Sequence, residues 1–313
     1  MSIAVLFPGQ GAQSIGMGRD VVEASGAAKA LFDRAGKVLG FDVARLCFEG
    51  PASELERTDL QQPAIFVTSA AIWAAWLEAG ASHETLTHAG GLSLGEYTAL
   101  YASGAMAFED ALRLVHRRGE LMQQAAMASP SGMVSLVGAD ETTAKALCER
   151  AREGEVLAPA NFNCPGQIVI AGSRSACQRA VELATEFQCR AVPLAVAGAF
   201  HTPLMQSAAN GLVPVLEQTH FTTPQRHVIS NVDAQYHRDP ASIRDSLRRQ
   251  VTHPVYWQRC VERMIEDGVK QFIEIGPGRV LTGLLRKINR TFPCTNISTA
   301  ESMDAALATP RPG

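Results

Sequence analysis

The stretch that decides the fold runs from residue 86 to residue 103 and is LTHAGGLSLGEYTALYAS. Leu86 to Ala89 predicts a short strand, and Leu94 to Ser103 predicts a helix. Between them, Gly91-Leu92-Ser93-Leu94-Gly95 fits the pattern G-x-S-x-G, in which a nucleophilic serine occupies a sharp turn from strand to helix. The same letters also fit an ordinary serine cap at the start of a helix. We therefore treat Ser93 as a candidate nucleophile that other residues must support.

Strands and helices alternate on both sides of this turn, which predicts a mostly parallel sheet. Strands are predicted at Ile3–Phe7, His227–Asn231 and Val269–Ile275, and helices at 20–40, 63–79, Phe108–Ala128, Pro254–Asp267 and Val280–Asn289. The helix at 63–79 contains the bulky residues Ile65, Trp73, Trp76 and Leu77, so we expect it to be largely buried.

A different pattern begins after the break at Ser129-Pro130-Ser131-Gly132. Its predicted elements are strand Met133–Gly138, helix Asp140–Arg152, strands Val156–Asn161 and Gln167–Gly172, helix Ser173–Gln188 and strand Ala191–Val196. The order β-α-β-β-α-β is typical of ferredoxin-like folds. We predict an inserted small subdomain at 129–198, with the large subdomain built from 1–128 and 199–313.

Composition excludes several classes of protein. The chain has 313 residues, 46% of them hydrophobic, and a net charge of −3, which is enough for a large core and gives no basic surface for nucleic acid or an anionic membrane. No signal peptide or membrane span is predicted. The seven cysteines form no C-x-x-C pair, so we expect free thiols in the cytoplasm, and the scattered histidines predict no metal site.

The loop after the first strand, Pro8-Gly9-Gln10-Gly11-Ala12-Gln13, is a candidate oxyanion-binding loop. Acyl transfer at a serine elbow uses two backbone N–H groups, one from the residue after the nucleophile and one from a loop that follows another strand. Here these are Leu94 and Gln10. A plain turn is one alternative. A dinucleotide loop is another, but the glycines at 9, 11 and 16 do not fit G-x-G-x-x-G.

The helix Phe108–Ala128 places two adjacent arginines on different faces. At about 100° per residue, Arg118 projects on the apolar side and Arg117 projects toward solvent. A buried guanidinium is costly unless it is paired. The pairing could be a structural salt bridge, or a bidentate clamp on a substrate carboxylate.

A serine nucleophile requires a base, and the base requires an acceptor that fixes its tautomer. His201 lies in Gly198-Ala199-Phe200-His201-Thr202-Pro203, where the chain returns from the small subdomain. Gln250 could orient it through its side-chain carbonyl, and Asp233 is the acidic alternative. Sequence spacing does not separate the two.

Together these motifs resemble those of a known family, the malonyl-CoA:acyl-carrier-protein transacylases of fatty acid synthesis, which are related to polyketide synthase acyltransferase domains. The resemblance runs from about Ile3 to about Ser302. The matching segments are Phe7-Pro8-Gly9-Gln10-Gly11, Gln62-Pro63-Ala64, Leu92-Ser93-Leu94-Gly95-Glu96-Tyr97, Arg118-Gly119, Asn161-Phe162-Asn163, Pro165-Gly166-Gln167, Ala199-Phe200-His201, Ser230-Asn231-Val232 and Glu274-Ile275-Gly276-Pro277-Gly278.

The resemblance implies an α/β-hydrolase-like large subdomain with a ferredoxin-like insertion. It implies that Ser93 accepts the acyl group, that His201 is its base and that Gln250 orients this histidine. It also implies that Arg118 holds the malonyl carboxylate and that the N–H groups of Gln10 and Leu94 form the oxyanion hole. The substrates would be malonyl-CoA and the phosphopantetheine of acyl carrier protein, with no permanently bound cofactor. We expect a monomer.

Two positions next to the reacting groups bear on acyl choice. The family usually has histidine immediately before the nucleophile, where this chain has Leu92. Phe200 is similar to the version of the motif that accompanies malonyl rather than methylmalonyl, because its ring crowds an α-methyl branch. Three alternatives stay open at this point: an esterase or thioesterase, a non-catalytic subunit that binds the carrier protein, and the acyltransferase of another malonate-using complex.

Overall fold

The structure is a computed structural model that describes residues 2–81 and 85–308. Its strands are β1 Ser2–Phe7, β2 Leu86–Gly91, β3 Ser131–Val137, β4 Leu157–Cys164, β5 Gln167–Ser173, β6 Arg190–Pro193, β7 His227–Val228, β8 Val269–Ile275 and β9 Cys294–Ile297.

The α-helices are α1 Arg19–Ala24, α2 Gly26–Leu39, α3 Val43–Glu49, α4 Ala52–Leu55, α5 Thr58–Glu78, α6 Leu94–Ala102, α7 Phe108–Ala128, α8 Glu141–Arg152, α9 Arg174–Leu183, α10 Gln206–Gln218, α11 Pro240–Gln250, α12 Trp257–Glu266, α13 Val280–Ile288 and α14 Ala300–Ala308. A 3₁₀ turn covers Pro203–Met205. No helix within 2–81 and 85–308 is long and apolar enough to cross a membrane.

The large subdomain is built on a five-stranded parallel sheet in the order β7-β2-β1-β8-β9. The central strand β1 is buried from Ile3 to Phe7. A parallel sheet covered by helices on both faces favours such an unbroken apolar strand. The predicted α/β class with a mostly parallel sheet is therefore confirmed.

The small subdomain is a four-stranded antiparallel sheet in the order β4-β5-β3-β6. Helices α8 and α9 cover one face, and their small and apolar residues share a core with those of the sheet. This is the predicted ferredoxin-like order. The sheet lies between Ser131 and Pro193, within the predicted 129–198. The boundaries themselves stay predictions, and their outermost residues, 1 and 309–313, lie outside the described part of the chain.

Several predicted elements have different bounds. The single helix expected at 20–40 is two helices, because Ser25 leaves the helical region and its hydroxyl caps α2 by accepting from Ala28 N–H. The strand expected at His227–Asn231 ends at Val228, because the chain then turns through Ser230 to Ala234, whose φ is 54°. The turn carries Asn231 toward the serine elbow.

Candidate active site

Ser93 joins the carboxyl end of β2 to the start of α6, and its backbone is strained, with φ 51° and ψ −101°. The glycines around it permit the close approach that this turn needs. A Cβ atom on Gly95 would lie 2.0 Å from the carbonyl oxygen of Phe7 in β1, and one on Gly91 would lie 2.1 Å from the carbonyl carbon of Gly95. The sequence pattern therefore corresponds to a real strand-turn-helix, as G-x-S-x-G requires.

Two side chains hold the strained serine by its backbone. Ser93 N–H donates to Asn231 Oδ1 at 2.6 Å, and Ser93 C=O accepts from Gln250 Nε2 at 3.0 Å. The other end of the Asn231 amide donates to Gly91 C=O at 2.9 Å. A residue in such a conformation costs about 1–3 kcal/mol and persists where its surroundings fix it. These bonds supply that support.

His201 lies against the serine hydroxyl. Its Nε2 is 2.9 Å from Ser93 Oγ, and its Nδ1 is 2.7 Å from the backbone carbonyl oxygen of Gln250. Because a carbonyl only accepts, Nδ1 carries the proton and Nε2 is left to accept from the serine. Burial, together with the positive charge of Arg118, lowers the pKa of His201 to about 4. The imidazole is therefore neutral near pH 7, as a general base must be.

The prediction that the side-chain carbonyl of Gln250 orients the histidine is wrong. That oxygen accepts from Arg118 Nη2 at 3.0 Å, and the residue contacts His201 through its main chain instead. The reason is that a guanidinium can only donate, so Arg118 takes the side-chain oxygen of Gln250 as its acceptor. The alternative, Asp233, is exposed and bonds to Arg249 and the Gln235 N–H, not to the histidine.

Arg118 is buried behind the nucleophile, with a relative exposure of 1%. Its Nη1 donates to Gln62 Oε1 at 2.6 Å, and its Nη2 donates to Ser93 Oγ at 2.9 Å. The guanidinium also lies 5.1 Å from the ring centre of Tyr97. Arg117, by contrast, is partly exposed and pairs with Glu120. The different faces predicted for the two arginines are confirmed. Of the two pairings considered for Arg118, a structural salt bridge is not seen within the described residues.

The predicted oxyanion loop lies beside the elbow. A Cβ atom on Gly9 would lie 2.2 Å from the carbonyl oxygen of Leu92, so the loop and the elbow are in backbone contact. Within the described residues, the N–H groups of Gln10 and Leu94 have no hydrogen-bond acceptor. The first N–H groups of a helix normally have no partner within the helix, and they form the positive end of its dipole. In α6 this positive end lies next to Ser93.

A cavity of about 390 Å³ opens in front of Ser93, between the two subdomains. Its walls are mixed. Apolar groups include Leu92, Phe200, Met122, Met133, Val169 and Leu284, and polar groups include Gln10, Gln61, Ser135, Asn161, Asn163 and Gln167. The polar group comes largely from the open face of the small subdomain's sheet. Both residues singled out for acyl choice, Leu92 and Phe200, therefore border the space where an acyl group would lie.

Behind the serine elbow lie buried polar residues that received no role from the sequence, namely Gln62, Glu96, Asn231 and His237. Glu96 lies one helical turn after the nucleophile, and its carboxylate accepts from Gln250 Nε2 at 2.7 Å. The sequence did offer a signal for Glu96: it lies at the start of an otherwise apolar helix, and a buried carboxylate there requires hydrogen-bond partners. The other three come from distant segments and gave no such signal.

Comparison with known proteins places this arrangement in a family. The family model described as acyl transferase domain matches residues 5–306. The malonyl CoA-acyl carrier protein transacylase of Bacillus subtilis is 42% identical over 309 residues, which cover 98% of this chain and 96% of that protein. The Escherichia coli protein of the same name is 39% identical over 305 residues, covering 97% and 98%.

Solved structures agree over the same length. An acyl carrier protein S-malonyltransferase from Vibrio cholerae superposes with a TM-score of 0.93 at 42% identity, covering 98% of this chain and 100% of that one. A malonyl-transacylase solved with a type II PKS acyl-carrier protein gives 0.95 at 40% identity, covering 98% and 99%. With its serine elbow, its neutral histidine and these near full-length matches, the chain belongs to the acyl transferase domain family.

Proposed function

We propose that the protein transfers a malonyl group from malonyl-CoA to the phosphopantetheine thiol of acyl carrier protein, through an ester on Ser93. One observation carries the proposal: a neutral base and a buried cation lie at equal distance from one hydroxyl. His201 Nε2 and Arg118 Nη2 are each 2.9 Å from Ser93 Oγ. The base activates the nucleophile, and the cation suits an acyl group that bears its own carboxylate. The names of the similar proteins support the same substrates.

In the first half-reaction, His201 takes the proton of Ser93 as the serine oxygen attacks the thioester carbon. The negative charge that forms on the carbonyl oxygen is accepted by the N–H groups of Gln10 and Leu94. The tetrahedral intermediate then collapses. The carbon–sulfur bond breaks, and His201 returns the proton to the departing sulfur, so that free CoA and malonyl-Ser93 remain.

In the second half-reaction, the thiol of the carrier protein's phosphopantetheine gives its proton to His201 and attacks the ester. The same two N–H groups hold the oxyanion, and Ser93 leaves with the proton from His201. Every proton moves between the serine, the histidine and the two thiols, so the scheme needs no bound cofactor. The acceptor must be a thiol rather than water, which requires a sheltered site.

Acyl choice would rest on three side chains. In the free protein Arg118 donates to Ser93 Oγ, and in the complex its guanidinium would turn this donor to the malonyl carboxylate. Phe200 and Leu92 line the cavity and would limit the bulk next to that carboxylate.

The amides of Asn161 and Asn163 lie on the other side of the cavity, where they could form hydrogen bonds with the amide groups of a pantetheine arm.

We infer that acyl carrier protein and malonyl-CoA are the partners, and that the protein works as a monomer in the cytoplasm without nucleic acid or membrane. The net charge of −3 and the seven free cysteine thiols support this setting. Free thiols are typical of a reducing compartment.

The experiment is intact-protein mass spectrometry after brief exposure to malonyl-CoA, with Ser93→Ala as the matched control. We expect a malonyl-sized adduct on the wild type, its removal by carrier protein that bears phosphopantetheine, and no adduct on Ser93→Ala. Consumption of malonyl-CoA without transfer to the carrier would instead indicate a hydrolase. No adduct with malonyl-CoA intact would indicate a non-catalytic carrier-binding subunit or another acyl donor.

A further inference from the structure

Behind the serine elbow lies a second buried polar cluster, centred on Glu96. Its Oε2 accepts from Asn231 N–H at 3.0 Å and from Gln250 Nε2 at 2.7 Å, and its Oε1 lies 2.8 Å from His237 Nε2. Both side chains of the Glu96–His237 pair are 1% exposed. A buried carboxylate is kept only where such partners satisfy it. None of these groups borders the cavity at Ser93.

Two residues that hold the reacting groups, Gln250 and Asn231, bond directly to this carboxylate. Gln250 bonds to Glu96 and also supports Ser93 C=O, Arg118 Nη2 and, through its main chain, His201 Nδ1. Asn231 bonds to Glu96 by its main chain and holds Ser93 N–H by its side chain. The orientation of the Gln250 amide is fixed by chemistry, because arginine only donates and the carboxylate only accepts.

The same carboxylate bears on the charge of Arg118. Within the described residues, no acidic side chain forms a salt bridge with this guanidinium. Burial lowers the pKa of the Arg118 guanidinium, and Tyr97 and the charge of Glu96 oppose that shift. Gln250 bonds to both Arg118 and Glu96, so the two charged groups are linked through an amide and not by a direct ion pair.

We propose that Glu96 is a positioning residue, which through Gln250 and Asn231 sets Ser93, His201 and Arg118 in their reactive geometry. This inference deepens the proposed function and rests on it for the role of Arg118. One carboxylate oxygen accepts from the Asn231 N–H and the Gln250 amide, while the other contacts His237 Nε2. A glutamine at 96 has one acceptor oxygen in place of two and no charge, so it cannot hold Gln250 and His237 in the same way.

The test compares Glu96→Gln and Glu96→Asp with a matched buried carboxylate, Glu274→Gln. Glu274 is also fully buried and accepts from the N–H groups of Leu281 and Thr282, but it supports α13 rather than the elbow. The readout is the rate of Ser93 acylation by malonyl-CoA in a single turnover, per folded molecule, at several malonyl-CoA concentrations. Folding is followed by the thermal melting of each variant.

We expect Glu96→Gln to slow acylation at saturating malonyl-CoA by about 10- to 100-fold, as is typical when a group that orients reacting residues is removed. The half-saturating concentration should change by less than about threefold, because Arg118 keeps its charge and its bond to Gln62. Glu96→Asp should recover a large part of the rate. Glu274→Gln should lose stability and keep the acylation rate per folded molecule.

A fluorophosphonate probe makes the outcome independent of the acyl group. The Ser93 oxygen attacks phosphorus, fluoride leaves and His201 takes the proton, so the probe reports serine–histidine geometry even if malonyl-CoA is not the substrate. Wild-type labelling with no malonylation would refute the proposed function alone. Unchanged labelling of Glu96→Gln, or equal losses in Glu96→Gln and Glu274→Gln, would overturn the positioning role. If Glu96→Gln does not fold, Glu96→Asp decides the question: a labelling rate per folded molecule below that of the wild type supports the positioning role, and a wild-type labelling rate with only a loss of melting temperature overturns it.

Discussion

The guanidinium of Arg118 is buried against neutral partners, and this decides its chemistry. Its hydrogen bonds go to Gln62, Gln250 and Ser93, and its face lies on Tyr97. A buried charge with hydrogen bonds but no direct ion pair is tolerated at a cost in stability. The same arrangement leaves its electrostatic attraction available to an incoming carboxylate. We therefore expect Arg118 to contribute more to substrate choice than to the stability of the fold.

Replacing Arg118 tests this reading against a neighbour on the same helix. Arg118→Ala should lower kcat/KM for malonyl-CoA by about 10- to 100-fold, the worth of a charged hydrogen bond, and should abolish the preference for malonyl-CoA over acetyl-CoA. Arg117→Ala removes an arginine that is partly exposed and pairs with Glu120, so both rates should stay near wild type. The measurement is the acylation of Ser93 by each donor. An unchanged preference in Arg118→Ala would refute the clamp.

Acylation of Ser93 should be lost only at an unusually low pH. Because the pKa of His201 is lowered to about 4 by burial and by Arg118, the base stays unprotonated well below the ordinary histidine pKa of about 6.5. Ser93 acylation at about pH 5.5 should remain within about twofold of its rate at about pH 7.5. A histidine of ordinary pKa would lose about tenfold over that range, and such a loss would contradict the assignment.

The titration of His201 should also make the stability of the fold depend on pH. Between about pH 6.5 and pH 4 the unfolded chain binds a proton at His201 that the folded chain excludes, so the folded state loses stability as pH falls through that window. Melting curves of the wild type at each pH therefore accompany the rate measurements, and they separate loss of the base from loss of the fold.

At the scale of the elements, the elbow depends on contact between two backbones. Gly95 in α6 lies so close to β1 that an added Cβ would be 2.0 Å from the carbonyl oxygen of Phe7. Backbone cannot move aside as a flexible side chain can. The start of α6, which follows Ser93, is therefore held against the strand that carries the oxyanion loop. This contact and that of Gly9 with Leu92 fix the two parts of the site relative to each other.

Two glycine-to-alanine changes on helices measure that contact. Gly95→Ala should lower the free energy of unfolding by about 3 kcal/mol or more, the upper range for overpacking a rigid site. Gly283 in α13 has no atom within 4 Å of an added Cβ, so Gly283→Ala should raise it by about 0.5–1 kcal/mol through helix propensity. Denaturant unfolding of both variants supplies the values. Equal effects would show that the approach of α6 to β1 is not tight.

Elements with strong periodicity could be predicted from the sequence, and irregular ones could not. The amphipathic helix Phe108–Ala128 has its predicted bounds. Helix α10, Gln206–Gln218, was not predicted, although its apolar residues are arranged on one face; it contains Pro214, a residue that normally interrupts a helix. Helix α11 was missed although its start has a capping box at Asp239 and a proline at its first position. That signal was present in the letters and is typical of a helix start.

The site residues likewise include some that the sequence could identify and others that it could not. Ser93 and Arg118 could be singled out because a local pattern surrounds each of them. The acceptor for His201 could not, because it is a backbone carbonyl, and every residue has one. The cluster of Glu96, Asn231 and His237 depends on partners more than 130 positions apart in the chain, and no local spacing reports such contacts.

At the scale of the whole molecule, the cavity is shared by the two subdomains. The large subdomain supplies Ser93, His201 and the oxyanion loop, while the small subdomain's sheet supplies Ser135, Asn161 and other polar lining. Ligand sites commonly lie between such units, near the carboxyl ends of parallel strands. The division separates the reacting groups from those that would contact the rest of the substrate.

The central strand β1 is made first but lies between β2 and β8, and β8 ends only at Ile275. The base follows the nucleophile by more than a hundred residues, and its backbone partner Gln250 comes later still. During synthesis, therefore, a growing chain that already displays Ser93 has neither its base nor a closed sheet. Acyl transfer therefore has to wait until Gln250 and β8 have been synthesised, and a product cut short before β8 would be inert.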